Sequence, residues 1–328
     1  MRQRLLGTGG PSVSAIGLGC MGMSGIYGAA DDGESVATIR AALDAGINLL
    51  NTGDFYGMGH NECLVREAIR GRRDQAFVSV KFGALRSPDG AFVGFDSRPA
   101  AVKNFLSYTL QRLGTDHVDL YQPARIDPAV PIEETVGAIA DLVKAGYVRH
   151  IGLSEASAAT VRRAHKIRPI AALEIEYSLI DREIEAEVLP TLRELGIGLV
   201  AYGVLSRGLL GGDVKPGQSF APGDFRGHSP RFTAENLAQN HRIVEALAAF
   251  AAERGTTAAQ VAIAWALSRG PDIVPLVGTR RRARLAEAIA ASELVLGEAD
   301  LAALETLIQP GQVAGTRYAT AQMALLNG

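Results

Sequence analysis

Only two cysteines, Cys20 and Cys63, occur in 328 residues, and no CxxC pair is present. A disulfide framework and a thiolate-bound zinc therefore find no support, and a reducing cytoplasmic setting suits the chain. Six scattered histidines lack the i, i+4 spacing of a helical metal site, so no metal is expected. Charge of neither sign dominates. Against 35 Asp and Glu stand 33 Lys and Arg, a net charge of −2 that offers no footing for nucleic acid or an anionic membrane. No apolar run reaches the roughly 18 residues of a membrane span. The opening MRQRLLGTGG lacks the apolar stretch and cleavage site of a secretory signal.

What is present is regular alternation. Hydrophobic residues at 47% and charged residues at 21% are ordinary for a soluble globular enzyme. Short β-rich runs recur at Ala15–Leu18, Ile47–Leu50, Phe77–Val80, Val118–Tyr121, His150–Leu153, Ala172–Glu176, Gly198–Tyr202 and Ile273–Val277. Amphipathic helical patterns separate them: Glu34–Asp44, Glu62–Arg70, Ala100–Leu113, Ile132–Lys144, Ala158–Lys166, Glu183–Leu195, Leu237–Arg254 with Ala258–Ser268, and Arg282–Ala291. Gly46, Gly114, Gly146 and Gly196 follow four of these as C-terminal stops. Eight strand–helix repeats without a composition break predict an α/β fold, one (β/α)8 TIM barrel over residues 1–328. The Arg4-to-Val13 stretch, with Gly9-Gly10 between apolar flanks, predicts an N-terminal β-hairpin closing the barrel bottom. Three segments, Gly83–Pro99, Gly211–Phe232 and Gln309–Gly328, exceed ordinary loop length; the first two would rim the active-site mouth.

Gly17-Leu18-Gly19-Cys20-Met21-Gly22 matches the G-x-G-x-x-G dinucleotide fingerprint in letters only. That fingerprint must open into a helix that receives the pyrophosphate, and here a glycine-rich loop follows.

Tyr56 and Lys81 each sit just past a strand-like run. A phenol is a poor acid, with a pKa of about 10. An ammonium about 4 Å away would ease its ionisation by up to several kcal/mol at an effective dielectric of about 20. At a barrel mouth the couple is a candidate proton donor to a carbonyl oxygen. The plain alternatives are a tyrosine with a wet hydroxyl and a lysine covering apolar surface.

The segments Leu50-Asn51-Thr52-Gly53-Asp54-Phe55-Tyr56-Gly57, Val80-Lys81-Phe82-Gly83, Asp119-Leu120-Tyr121-Gln122, Gly152-Leu153-Ser154 and Glu176-Tyr177-Ser178-Leu179 resemble the aldo-keto reductase superfamily. So do Ala201-Tyr202 with Ser206-Arg207-Gly208-Leu209-Leu210, and Val277-Gly278-Thr279 with Arg284-Leu285. The resemblance runs in order along nearly the whole chain. It is nearest to bacterial sequences carrying G-L-G-C-M-G-M and F-Y-G-x-G-x-N-E. It implies an NADPH-dependent reductase of a small aldehyde or ketone, with Tyr56 as general acid and Lys81 as its activator. Two positions of the family's Asp-Tyr-Lys-His tetrad differ: Asn51 replaces the aspartate and Ala124 the histidine. Arg125 and His60 are candidates to fill the second gap, and Asp54 to supply charge near Lys81. On this reading Asn51→Asp would raise the rate if the missing carboxylate matters.

The same resemblance places cofactor contacts at Gly22 and Met23, at Ser154 and at Glu174, which stands where the family usually has a glutamine, for the carboxamide, and at Tyr202 for ring stacking. Leu205, Ser206, Arg207, Gly208 and Leu210 follow for the pyrophosphate. Gly278, Thr279, Arg280 and Arg284 would hold the 2′-phosphate, with Glu287 at the adenine. Free helix amides and clustered arginines suit a phosphate, which favours NADPH over NADH. Phe55, Met58 and Arg125 are substrate-side candidates, and Leu85, Phe92 and Phe95 extend an apolar wall. Trp265 lies on an apolar helix face and is expected in the core. Monomer and homo-oligomer both stay open. Two other functions remain: a cofactor-binding sensor or scaffold like the potassium-channel β subunits, and an isomerase or aldolase using Lys81 as a Schiff base.

Overall fold

The computed structural model describes residues 1–326, so the last two residues of the predicted tail lie outside the described residues. Eight parallel strands close on themselves: β1 (Gly17–Gly19), β2 (Leu49–Gly53), β3 (Phe77–Phe82), β4 (Val118–Pro123), β5 (Val148–Ser154), β6 (Ala172–Glu176), β7 (Gly198–Tyr202) and β8 (Ile273–Gly278). Neighbours in sequence are neighbours in the barrel, and β8 pairs with β1 through Leu276 opposite Gly17. The predicted (β/α)8 barrel is observed.

Most helices form where the sequence pattern predicts them, and a further helix, Glu298–Leu307, lies beyond the last predicted pattern. In the helix Ile132–Lys144 the buried positions Ile132, Thr135, Val136, Ile139 and Leu142 recur at helical spacing. Glu133 and Glu134 occupy its first turn and Lys144 its last, matching the helix dipole. Gly114 ends the preceding helix at φ 63°, where a side chain would be strained. One expected helix is broken. Glu183–Leu195 is a 3-10 turn at Glu183–Glu185 and then a helix from Val188 to Leu195, because Glu187 takes φ −139° between them. Trp265 is fully buried and packs on Tyr177 at 5.1 Å between ring centroids, as expected of a core residue.

At the barrel bottom the hairpin Gln3–Leu5 with Ser12–Ser14 brings Leu6 and Val13 against the inward-facing Leu49, Phe77, Leu120, Ala172, Val200 and Val274. These side chains form an apolar floor. Since side chains on a strand repeat every second residue, the next inward positions toward the C-terminal ends are Asn51, Ser79, Gln122, Glu174 and Tyr202, followed by Lys81 and Glu176. Along β2, β3, β4, β6 and β7 the interior thus turns from apolar to polar over one step.

Above that layer, β1 leads into a short 3-10 turn at Met21–Ser24, and no helix begins until Asp32. The glycine-rich motif there lacks the helix a dinucleotide fingerprint needs. The long segment after β3 is a two-stranded hairpin, Ala84–Arg86 with Phe92–Phe95. The segment after β7 holds only short 3-10 turns.

Candidate active site

Adjacent strands β2 and β3 deliver Asn51 and Lys81, and the turn after β2 delivers Tyr56. The Lys81 ammonium lies 5.4 Å from the centre of the Tyr56 ring. It donates to Asn51 Oδ1 at 2.5 Å and to Glu174 Oε1 at 2.8 Å. The other Glu174 oxygen accepts from Asn51 Nδ2 at 2.7 Å and from Gln122 Nε2 at 2.5 Å. Lys81 and Glu174 expose only 5% and 4% of their side chains, so water screens the pair little. Glycine at position 152 makes the space for Gln122, since a Cβ there would lie 2.6 Å from Gln122 Oε1.

Electrostatics follow from this burial. Removal from water lowers the Lys81 pKa, and the Glu174 carboxylate is the largest influence pushing back. Burial holds the Tyr56 phenol well above its ordinary value, with the Glu174 charge adding to the effect and Arg125 opposing it. The expectation that the ammonium would ease the phenol's ionisation does not hold against burial: Tyr56 keeps its proton. That is the state a proton donor requires.

Of the two candidates for the gap at Ala124, only Arg125 faces the couple. Its charge acts on both Tyr56 and Lys81, and its guanidinium lies 5.7 Å from the Tyr318 ring. His60 is engaged elsewhere, 3.0 Å from Ser24 Oγ and 3.1 Å from Asp32. Asp54 does not reach Lys81 either. Its carboxylate accepts from the Gly83 amide at 3.4 Å, and burial together with the Glu62 charge raises its pKa to about 7. The unfolded value is about 3.9, so between pH 4 and pH 7 the native protein keeps a proton that the unfolded chain has released. Stability therefore falls as pH rises through that window. Asp54→Asn should flatten this part of the pH–stability curve in urea melts. An unchanged slope would refute the assignment.

The cofactor candidates divide. Ser206 and Arg207 take left-handed backbone, φ 45° and 55°, in a tight turn with Gly208. Ser206 Oγ and Arg207 Nη1 are buried without a hydrogen-bond partner, and two orphaned donors side by side suit a phosphate anion. Leu210 is a core side chain, and Leu205 packs against the core. Met23 is likewise buried in the core, with its amide bonded to Cys20 O. Ser154 is buried at the end of β5. Arg280 donates to Gly28 O at 2.9 Å, and to Gly22 O at 3.5 Å. Arg284 pairs with Glu287 at 2.9 Å and with Asp213. Thr279 Oγ1 accepts from the Arg281 amide, and Gly278 ends β8 exposed. Glu174, expected at a carboxamide, accepts from Lys81, Asn51 and Gln122.

Several site residues escape sequence reasoning. Tyr202, expected to face a nicotinamide, has its hydroxyl 2.7 Å from Glu155 Oε1 and 2.8 Å from the Tyr318 hydroxyl. Glu155 takes φ 52° and also bonds Arg317 at 3.2 Å. Tyr318 lies 4.8 Å from the Arg207 guanidinium, and Arg231 bridges Glu176 at 3.1 Å and Asp181 at 2.8 Å. The only signal for Arg317 and Tyr318 was that they occupy an unusually long tail. Of the substrate-side candidates, Phe55 meets the Tyr56 ring edge-on at 4.7 Å, and Met58 is exposed at φ 54°. Phe92 and Phe95 pack together on the hairpin after β3 at 4.9 Å.

A sequence model described as the aldo/keto reductase family matches residues 15–309. The chain belongs to the aldo/keto reductase family. A soybean (Glycine max) protein described as probable aldo-keto reductase 1 is 41% identical over 315 residues, which cover 95% of this chain and 90% of that one. The barrel superposes on the glycerol dehydrogenase of Gluconobacter oxydans with a TM-score of 0.85 at 28% identity, covering 97% and 98% of the two chains. It also superposes on an aldo/keto reductase from Klebsiella pneumoniae solved in complex with NADP and acetate, with a TM-score of 0.74 at 26% identity over 97% and 99%. In this chain Lys81 meets an amide on β2, Asn51, and a carboxylate on β6, Glu174. Among the described residues no helix is long and apolar enough to cross a membrane.

Proposed function

We propose that residues 1–328 form one barrel domain that reduces a small aldehyde or ketone to its alcohol, in a reducing cytoplasmic compartment. The observation that carries this reading is the protonated Tyr56 beside a buried, counter-charged Lys81 at the C-terminal ends of β2 and β3. Strand C-termini are where barrel enzymes place their chemistry. NADPH, when bound, supplies the hydride. Tyr56 gives its proton to the carbonyl oxygen as negative charge builds there: the phenol O–H breaks and the alcohol O–H forms. Lys81 and Arg125 stabilise the resulting phenolate. Phe55 and Met58 present apolar surface to the substrate. Ser206, Arg207 and Gly208 would hold the pyrophosphate, and Gly278, Thr279, Arg280 and Arg284 the 2′-phosphate.

The cofactor sensor is the competing reading, and the loss of the tetrad histidine at Ala124 favours it. One experiment separates the two. Protein mixed with NADPH and 4-nitrobenzaldehyde should consume NADPH, whereas a sensor binds it without turnover. NADPH should bind about tenfold or more tightly than NADH at low salt, roughly 1.4 kcal/mol, and the gap should narrow as salt screens the arginines. Equal affinities at every salt concentration would remove the 2′-phosphate assignment.

A further inference from the structure

A buried ammonium costs several kcal/mol unless a counter-charge meets it. On its own side of the barrel Lys81 meets only a neutral amide, Asn51. The nearest carboxylate in sequence, Asp54, bonds the Gly83 amide instead. The other groups acting on Lys81 are Arg125 beyond β4, Cys20 beyond β1 and the Tyr56 phenol, and none of them brings a compensating carboxylate. Glu174 does, reaching from β6 across the barrel interior to Lys81 on β3 and to Asn51 on the opposite strand β2.

The hydrogen bonds leave one way to arrange the cluster. Lys81 has only donors, so Asn51 must offer it Oδ1, and the Asn51 amide nitrogen is then aimed at Glu174. Gln122 Nε2 fills the remaining position on the carboxylate. One carboxylate therefore ties together β2, β3 and β4. We infer that Glu174 is a positioning residue that keeps Lys81 charged and aimed at Tyr56, the acid and the amide having exchanged strands. This rests on the reductase reading and deepens it.

The exchange reverses the sign expected for Asn51→Asp. An aspartate there would set its carboxylate against Glu174 Oε2, where Asn51 Nδ2 now sits at 2.7 Å. Two carboxylates that close cannot both ionise freely. The double variant Asn51→Asp/Glu174→Gln, in contrast, restores one acid and one amide. Gln122 Oε1, now buried without a partner, can turn to accept from the new glutamine.

The test is a double-mutant cycle with two readouts: turnover of NADPH with 4-nitrobenzaldehyde, and titration of Lys81 by NMR of 13Cε-labelled lysine. The chain has only five lysines, so a Lys81→Arg variant identifies the signal. Each single variant should lose about 100-fold in kcat, within the range of a disturbed general acid. Lys81 should titrate at lower pH in Glu174→Gln than in the native protein. The double variant should recover to within about tenfold of native, with Lys81 again titrating near its native pH. A purely structural role for Glu174 would lower stability without moving the lysine titration. An unmoved Lys81 in Glu174→Gln, or a double variant no better than the worse single, overturns the inference. Should Glu174→Gln fail to fold, the double variant alone decides, because it must fold and carry a charged lysine. If the native protein shows no reduction, the reductase reading fails while the lysine titration still judges the ion pair.

Discussion

Tyr56→Phe should lower kcat for carbonyl reduction by about 10²–10⁴ while leaving the dissociation constant for NADPH within about twofold. The size of the loss follows from what the hydroxyl does. Reduction leaves negative charge on the substrate oxygen, and the proton that neutralises it must come from a group already in place. Tyr56 holds that proton firmly, since burial and the Glu174 charge both keep the phenol neutral. Phenylalanine keeps the ring, its edge contact with Phe55 at 4.7 Å and its place 5.4 Å from Lys81. Folding and cofactor affinity should therefore survive. Single-turnover measurements would place the defect in the chemical step. A Tyr56→Phe enzyme within about threefold of native turnover would show that another group, with a bound water first in line, delivers the proton.

Arg231→Ala should destabilise the fold by about 3–5 kcal/mol, because it leaves buried carboxylates without their cation. Glu176 is fully buried and takes Arg231 at 3.1 Å on one oxygen and Arg207 at 3.1 Å on the other. Asp181 takes Arg231 at 2.8 Å, with Arg317 farther away at 3.6 Å. Removing the guanidinium strips Asp181 of its close partner and Glu176 of one of two. Burial and the Glu176 charge already raise the Asp181 pKa to about 6. Without Arg231 it rises further, so the native protein pays more to ionise it as pH increases. The loss in urea unfolding should accordingly be larger at pH 8 than at pH 5. The comparison variant is Arg163→Ala, whose ion pair with Glu133 is 53% and 37% exposed. Exposed pairs contribute about 0–1 kcal/mol, so that change should be close to neutral. A loss under about 1 kcal/mol for Arg231→Ala, or one independent of pH, would mean that water enters the cluster.

The barrel was legible because its signals are local. β-rich runs and helical patterns each span fewer than twenty residues, and strands buried on both faces show as continuous apolar stretches. Strand β6 and the helix Ala258–Ser268 fall on their predicted bounds. The break at Glu187 was invisible, since the amphipathic pattern runs through it. Tyr56 and Lys81 were legible for a related reason: their position after adjacent strand runs places them at one end of any parallel barrel. Two residues were read singly and not as partners of each other. Asn51 looked like a lost charge and Glu174 like a carboxamide contact, and neither reading could see the other residue. Arg317 and Tyr318 had no pattern to betray them, because a tail has no periodicity.

By itself, the sequence determined the eight-fold repeat, the hairpin ahead of the first barrel strand, and the placing of a phenol and an amine after neighbouring strand runs. Each of these depends on residues a few positions apart or on a fixed side-chain period. Only the tertiary structure decided which carboxylate neutralises Lys81, which cation faces Tyr56, and that the chain's end meets Glu155. Those partners lie 93 and 162 residues apart for Lys81–Glu174 and Glu155–Arg317. Closure of the barrel, and the cost of leaving a buried charge unpaired, bring them together.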